Sequence, residues 1–113
     1  MTGAVPRTTV ATRPQARQDI QAAVAHYRAV AGEAVAMRLI AEVEQALDHL
    51  AAFPDSGSPR YGIALGLDGL RCWPLRAFPY LVFYEASPGL VDVWTVLHQH
   101  RDLPASLGIP TAQ

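Results

Sequence analysis

Apolar side chains recur every three or four positions from Pro14 to Ala31: Ala16, Ile20, Ala23, Val24, Tyr27, Val30 and Ala31. That spacing lays one apolar stripe along a helix. Pro14 suits the first helical turn, where its missing N–H costs nothing. Gly32 ends the pattern, because glycine takes a left-handed cap without strain. A second stripe runs from Glu33 to Ala52 through Ala36, Leu39, Ile40, Val43, Ala46, Leu47 and Leu50. Arg38, Glu42, Glu44 and Asp48 fall mostly on its other side, and Pro54 stops it. Two helices parted by one glycine read as an αα-hairpin.

Downstream the pattern changes to short apolar runs. Tyr80 to Glu85 and Leu90 to Leu97 are rich in Val, Tyr, Phe and Trp, as strands are. Ser87, Pro88 and Gly89 between them suit a type II turn. Leu70 to Leu75 is a further strand, held to an edge by Pro74. Thr8 to Thr12 is β-branched enough for a short strand before the hairpin. Residues 55–69 carry Gly, Pro, Ser and Asp throughout and read as a long loop, with Ile63, Ala64, Leu65 and Leu67 tucked against the core.

These elements predict an α+β domain: an N-terminal strand, then an αα-hairpin packed on a three-stranded antiparallel meander. Which sheet edge the first strand joins stays open. The last two strands are apolar on both faces, Tyr80, Val82 and Tyr84 against Leu81 and Phe83. Two helices cover one face only. The other is expected to stay open for a partner, so that the free chain would self-associate.

Length and composition bound the rest. The 113 residues suit one domain, 1–113, with 1–7 and 104–113 expected to be flexible. The single cysteine, Cys72, excludes an internal disulfide and a Cys-rich zinc site, and fits a small core residue. A reducing, cytoplasmic setting is expected. No apolar run reaches the roughly 18 residues of a membrane span, and no secretory signal is visible. The net charge of −1 argues against a general nucleic-acid binder. All nine basic residues are Arg, so the lysine that often serves as base or phosphate ligand is missing.

Candidate chemistry gathers near the end of the last strand. His98 and His100 point to one side of an extended segment. Two imidazoles can begin a metal site, but no third ligand has suitable spacing, so none is expected and neither is a cofactor. Arg71 shares a face with Trp73 and could stack on it, or pair with Glu85 or Asp92 across the sheet. Arg76, beside a turn, is the better contact candidate. Tyr27, Leu47, Trp73 and Trp94 read first as core. Ser56 and Ser58 stand in no nucleophile motif, and the loop glycines form no phosphate cradle.

The order of elements carries a resemblance. Ala16, Asp19 and Ile20 open the first helix, followed by Tyr27 and Gly32. Leu50, Ala51, Phe53, Pro54 and Gly57 follow the second. Leu70 and Arg71, then Phe78, Pro79, Tyr80, Val82 and Tyr84, mark the meander. Val96, Leu97, His98, Arg101 and Asp102 close it. From about Thr12 to Asp102 the chain resembles the ParE/RelE superfamily of type II toxin–antitoxin toxins, its ParE branch most closely. The resemblance implies a toxin, as in plasmid stabilisation, that poisons DNA gyrase by binding. A ParD-like antitoxin would neutralise it and carry any contact with operator DNA. The alternatives are RelE-like cleavage of messenger RNA on the ribosome, or a non-toxic member that only forms a complex. Target contact is expected at Arg76, His98, His100 and Arg101, and antitoxin contact at Leu47, Leu50 and Trp94. A nuclease would draw on Arg71, Arg76, His98 and Arg101, but the terminal aromatic residue of nuclease members is missing after Asp102.

Overall fold

The computed structural model describes residues 8–100; the proposed flexible ends and Arg101 lie outside them. Strand β1 (Thr9–Thr12) leads into helices α1 (Pro14–Ala31) and α2 (Glu33–Ala52). A short helix α3 (Arg60–Leu65) follows, then β2 (Leu70–Pro74), β3 (Tyr80–Ser87) and β4 (Leu90–His98). The strands lie in the order β1-β4-β3-β2. β2, β3 and β4 form the antiparallel meander, and β1 adds parallel to β4. Gly32, at φ 95°, is the pivot of the hairpin, and across it Arg28 Nε bonds Glu33 at 2.6 Å.

The predicted helical stripes pack one sheet face. Ala16, Ala23 and Val24 of α1 and Ala36, Leu39, Val43, Ala46 and Leu50 of α2 are buried against Val82, Tyr84, Val91, Val93 and Val96. Val30 departs from its stripe: it is 65% exposed near the hairpin tip.

The opposite sheet face corrects an expectation. Leu70, Cys72, Leu81, Phe83 and Leu97 form a second core, and none of them is more than 7% exposed. The segment read as a loop is the reason. It folds into α3, whose Tyr61, with Leu67, packs on this face. Tyr61 meets Phe83 edge to face at 5.8 Å. Ile63, expected to tuck inward, is instead 73% exposed. The exposed large apolar residues among those described are Val30, Met37, Phe53 and Ile63, none of them on the sheet. The predicted open sheet face is therefore absent, and the self-association built on it loses its basis.

Two polar anchors hold the layers in register. Opposite the step from Phe83 to Tyr84, β4 carries one extra residue, Trp94, in a β-bulge. Beside the bulge, Asp19 of α1 accepts the Val96 N–H at 3.1 Å and the Thr95 hydroxyl. Gln15 steadies the same carboxylate at 2.8 Å. The second anchor is Tyr84, fully buried, whose hydroxyl ties the segment after α2 to the sheet.

Candidate functional site

Arg76, His98 and His100, three of the four predicted target contacts, lie at one end of the sheet, where β2 turns into β3 and β4 runs out. The turn is short and closed by backbone bonds, Leu75 N–H to the Tyr80 carbonyl at 3.0 Å and Tyr80 N–H to the Phe78 carbonyl at 2.8 Å. Glu42 of α2 fixes it from below, its carboxylate accepting the N–H groups of Arg76 and Ala77. Sequence reading placed Glu42 on the outer side of its helix and missed this role. Periodicity gives no signal for a carboxylate that reaches across to a turn.

Glu42 thereby presents the Arg76 side chain, which is exposed. Arg76 borders a cleft of about 300 Å³ shared with Glu42, Gln45, His49 and Trp73. Inside it the His49 ring stacks on Trp73, with centroids 4.6 Å apart and planes 23° from parallel. His49 Nε2 lies 3.0 Å from the Ser56 hydroxyl. Phe53, 61% exposed, leans on His49 at the rim. The cleft thus joins a guanidinium to a stacked aromatic wall.

On the far side of β3, His98 stands opposite Tyr80 in the strand register, with the rings edge to face at 5.4 Å. Gln99 N–H bonds the Pro79 carbonyl at 2.9 Å and draws the end of β4 onto the turn. His98 Nδ1 accepts the His100 N–H at 3.2 Å, and the two rings lie 5.3 Å apart. The structure therefore brings His98 and His100 together and sets Arg76 at the same sheet end. His98 and the β2–Arg76 side are two strand spacings apart, roughly 10 Å. No group of three or more His, Cys, Asp or Glu gathers as a metal site among the described residues.

Arg71 stands elsewhere. It pairs with Tyr84 in register, four residues along β3 from Tyr80, or roughly 13 Å. Its Nη1 bonds the Gly57 carbonyl at 2.7 Å and the Asp55 carbonyl at 3.1 Å. It therefore neither stacks on Trp73 nor pairs with Glu85 or Asp92, as the sequence suggested. The Asp92 pairing, and a stack on a different indole, Trp94, belong to Arg13, which sequence reading passed over. Arg13 Nη2 pairs with Asp92 at 2.8 Å, and its guanidinium lies 4.5 Å from the Trp94 ring centre. The pair holds the start of α1 against β4, and the Asp92 bond raises the Arg13 pKa further.

The three residues expected to meet an antitoxin do not share a surface. Leu50 is fully buried in the core under the hairpin, so it presents nothing to a partner. Its place on the apolar stripe is what buries it. Leu47 is half-buried on the helix-covered side, while Trp94 packs with the second core on the other face. The indole N–H of Trp94 is buried without a partner among the described residues.

Two buried hydroxyl and thiol groups are chemically quiet. Burial pushes the Cys72 thiol up to about 12, which leaves it protonated at neutral pH. Burial likewise raises the Tyr84 phenol. No helix among the described residues is long and apolar enough to cross a membrane.

Comparison with known proteins agrees with this architecture. The family described as "ParE toxin of type II toxin-antitoxin system, parDE" matches residues 10–103. A solved structure titled "Chromosomal ParDE TA system from P. aeruginosa" superposes with a TM-score of 0.68. It is 16% identical, and the match covers 83% of this chain and 98% of that one. No curated protein sequence matches. The shared order of strand, helical hairpin and meander, with a family match over most of the chain, makes this protein a member of the ParE toxin family of type II toxin–antitoxin systems.

Proposed function

We propose that this chain is the toxin of a toxin–antitoxin pair and that it acts by binding DNA gyrase rather than by catalysis. The observation that carries this reading is the engagement of Arg71. Metal-free RNA cleavage needs a base, an acid and a cation converging on one phosphate. Arg71 spends its guanidinium on two loop carbonyls and lies far along the sheet from His98. The exposed groups at the His98 end suit contact with a protein surface. Arg76 is fixed through its backbone, and His98 and His100 lie side by side. Arg101, outside the described residues, follows them in sequence and is proposed as a target contact on that ground alone.

The antitoxin completes the proposal. The printed title of the solved neighbour describes a ParDE system, which supports a ParD-like partner for this chain. Any operator contact would come through that partner. Leu47 is the better placed of the two helical contact candidates, since Leu50 is sealed. A bacterial cytoplasm is the setting this function requires.

Expression in a sensitive bacterium tests the reading. Filamentation with induction of the DNA-damage response, relieved by gyrase mutations, is the expected result. Prompt arrest of translation with cleaved messages would contradict it.

A further inference from the structure

The cleft beside Arg76 has the build of an anchor pocket. Ala46 of α2 and Trp73 and Pro74 of β2 give it apolar walls, and the exposed Gln45 and Arg76 line its mouth. At about 300 Å³ it lies at the small end of ligand pockets, a size for an anchoring side chain rather than for a folded element.

The charge at this mouth has one sign to offer. Glu42 is half-buried beneath the turn, and its carboxylate is committed to the N–H groups of Arg76 and Ala77. The Arg76 side chain is exposed and has no ion-pair partner among the described residues. An approaching segment therefore meets an unpaired guanidinium beside an apolar hollow. A guanidinium selects a carboxylate, which it can hold through two parallel bonds. The turn that carries Arg76 is already fixed, by Glu42 and by the bond from Leu75 N–H to the Tyr80 carbonyl, so little order is lost on binding.

Trp73 decides against a nucleic acid at the same place. A base would need an open aromatic face to stack on. His49 already stacks on the indole, and the indole also packs on the core under the hairpin. One unpaired cation is also little to hold a run of phosphates. The cleft offers apolar walls, which suit an aliphatic side chain.

We infer that this cleft seats an acidic protein segment of the toxin's target, with a leucine-like side chain in the hollow and a neighbouring aspartate or glutamate on Arg76. The inference rests on the gyrase reading for the partner's identity, but its physical test does not. Gln99 N–H bonds Pro79 of the same turn, so one target surface can span the cleft and the His98 end of β4. Buried anchors of this kind carry most of the affinity of a protein contact.

The probe is a capped peptide of leucines flanked by aspartates, with the same peptide flanked by arginines as its charge-reversed counterpart. The chain supplies its own control, because its two tryptophans are Trp73 in the cleft and Trp94 on the opposite sheet face. In an NMR titration of the full chain, the aspartate peptide should shift the Trp73 indole signal and leave that of Trp94 in place. Its dissociation constant should be on the order of 1 mM or below. Arg76→Glu should weaken binding by about tenfold or more, and Arg60→Glu, the same charge change on α3, by less than about twofold. Gln45→Phe should block the mouth and weaken the peptide by about tenfold as well. Both cleft positions are exposed, so an unchanged thermal melt confirms that the variants fold. A Trp73 signal unmoved at about 10 mM peptide would overturn the inference. So would equal binding of the arginine peptide, or tighter binding of a thymidine tetranucleotide. A Trp73 shift on dilution of the chain alone would also overturn it, by putting a second copy in the cleft. With purified gyrase, the aspartate peptide should compete for the chain. Gyrase that binds Arg76→Glu and Gln45→Phe as well as the native chain would overturn the inference and leave the toxin reading intact. A chain that takes the peptide but ignores gyrase would overturn the gyrase reading, and with it the partner's identity.

Discussion

The Tyr84 hydroxyl donates to the Pro54 carbonyl at 2.7 Å and accepts the Gly57 N–H at 2.8 Å. One buried phenol thus ties both ends of the turn that follows α2 to the centre of the sheet. A Cβ on Gly57 would sit 2.5 Å from that oxygen, so only glycine fits. Arg71 completes the clamp from β2 through the Asp55 and Gly57 carbonyls. Tyr84→Phe should therefore destabilise the fold by about 1–3 kcal/mol, since it orphans a buried N–H. Gly57→Ala should cost a similar amount through overpacking, about 1–3 kcal/mol. Denaturant unfolding monitored by tryptophan fluorescence checks both. Loss of well under that range in both variants would show that the clamp contributes little.

Asp19 plays the matching part for α1. It accepts from Thr95 and Val96 at the bulge, where β4 would otherwise leave a half-buried N–H unpaired. Asp19→Ala should destabilise by about 1–3 kcal/mol, and Thr95→Val by less, because the Val96 bond survives in the second variant. Equal effects would mean that the backbone bond is dispensable.

Cys72 supplies a pH prediction. Its folded value of about 12 stands above the ordinary 9.0, and burial is the cause. A raised value means that the folded state favours the protonated thiol. The associated stability is fully present below pH 9 and is lost as pH rises towards 12. Tyr84 shifts in the same direction, so it adds to alkaline loss. Cys72→Ala should therefore flatten only part of the fall in melting temperature between those values. In the native chain at neutral pH, Cys72 should resist alkylation until denaturant is added. Rapid labelling of the folded protein would contradict its burial.

Arg71 and Arg76 should separate structure from target contact. Arg71→Ala should speed hydrogen exchange at Gly57 and Ser58 and lower stability. Arg76→Ala should leave the melt unchanged, because the backbone of Arg76 makes the bond to Glu42. It should instead weaken toxicity when expression is matched. Lost toxicity in Arg71→Ala without loss of folding, and full toxicity in Arg76→Ala, would reverse these roles.

Much of the fold was legible because periodicity reports burial on one face. Both long helices, the edge position of β2 and the meander followed from it. Helix α3 escaped because its six residues carry too little period to stand apart from the surrounding Gly and Pro. That omission produced the wrong expectation of an open sheet face, since α3 is what packs on Phe83. The site was less legible. His98 and His100 stand at a strand end, where sequence order alone keeps them adjacent. Glu42 and His49 reach the site across the tertiary fold, and nothing in their local pattern announces it. Arg13 took the Asp92 pairing expected of Arg71, and a stack on Trp94, because the parallel pairing of β1 with β4 brings it beside both. That pairing joins residues some eighty positions apart, which local pattern does not encode.

The most direct test of toxicity by binding is a supercoiling and cleavage reaction with purified gyrase and plasmid DNA. The wild-type chain should block supercoiling and trap cleaved DNA, and His98→Ala with Arg76→Ala should act only at higher concentration while still folding. Full gyrase activity in the presence of the chain, alongside cutting of messenger RNA on purified ribosomes, would contradict the account.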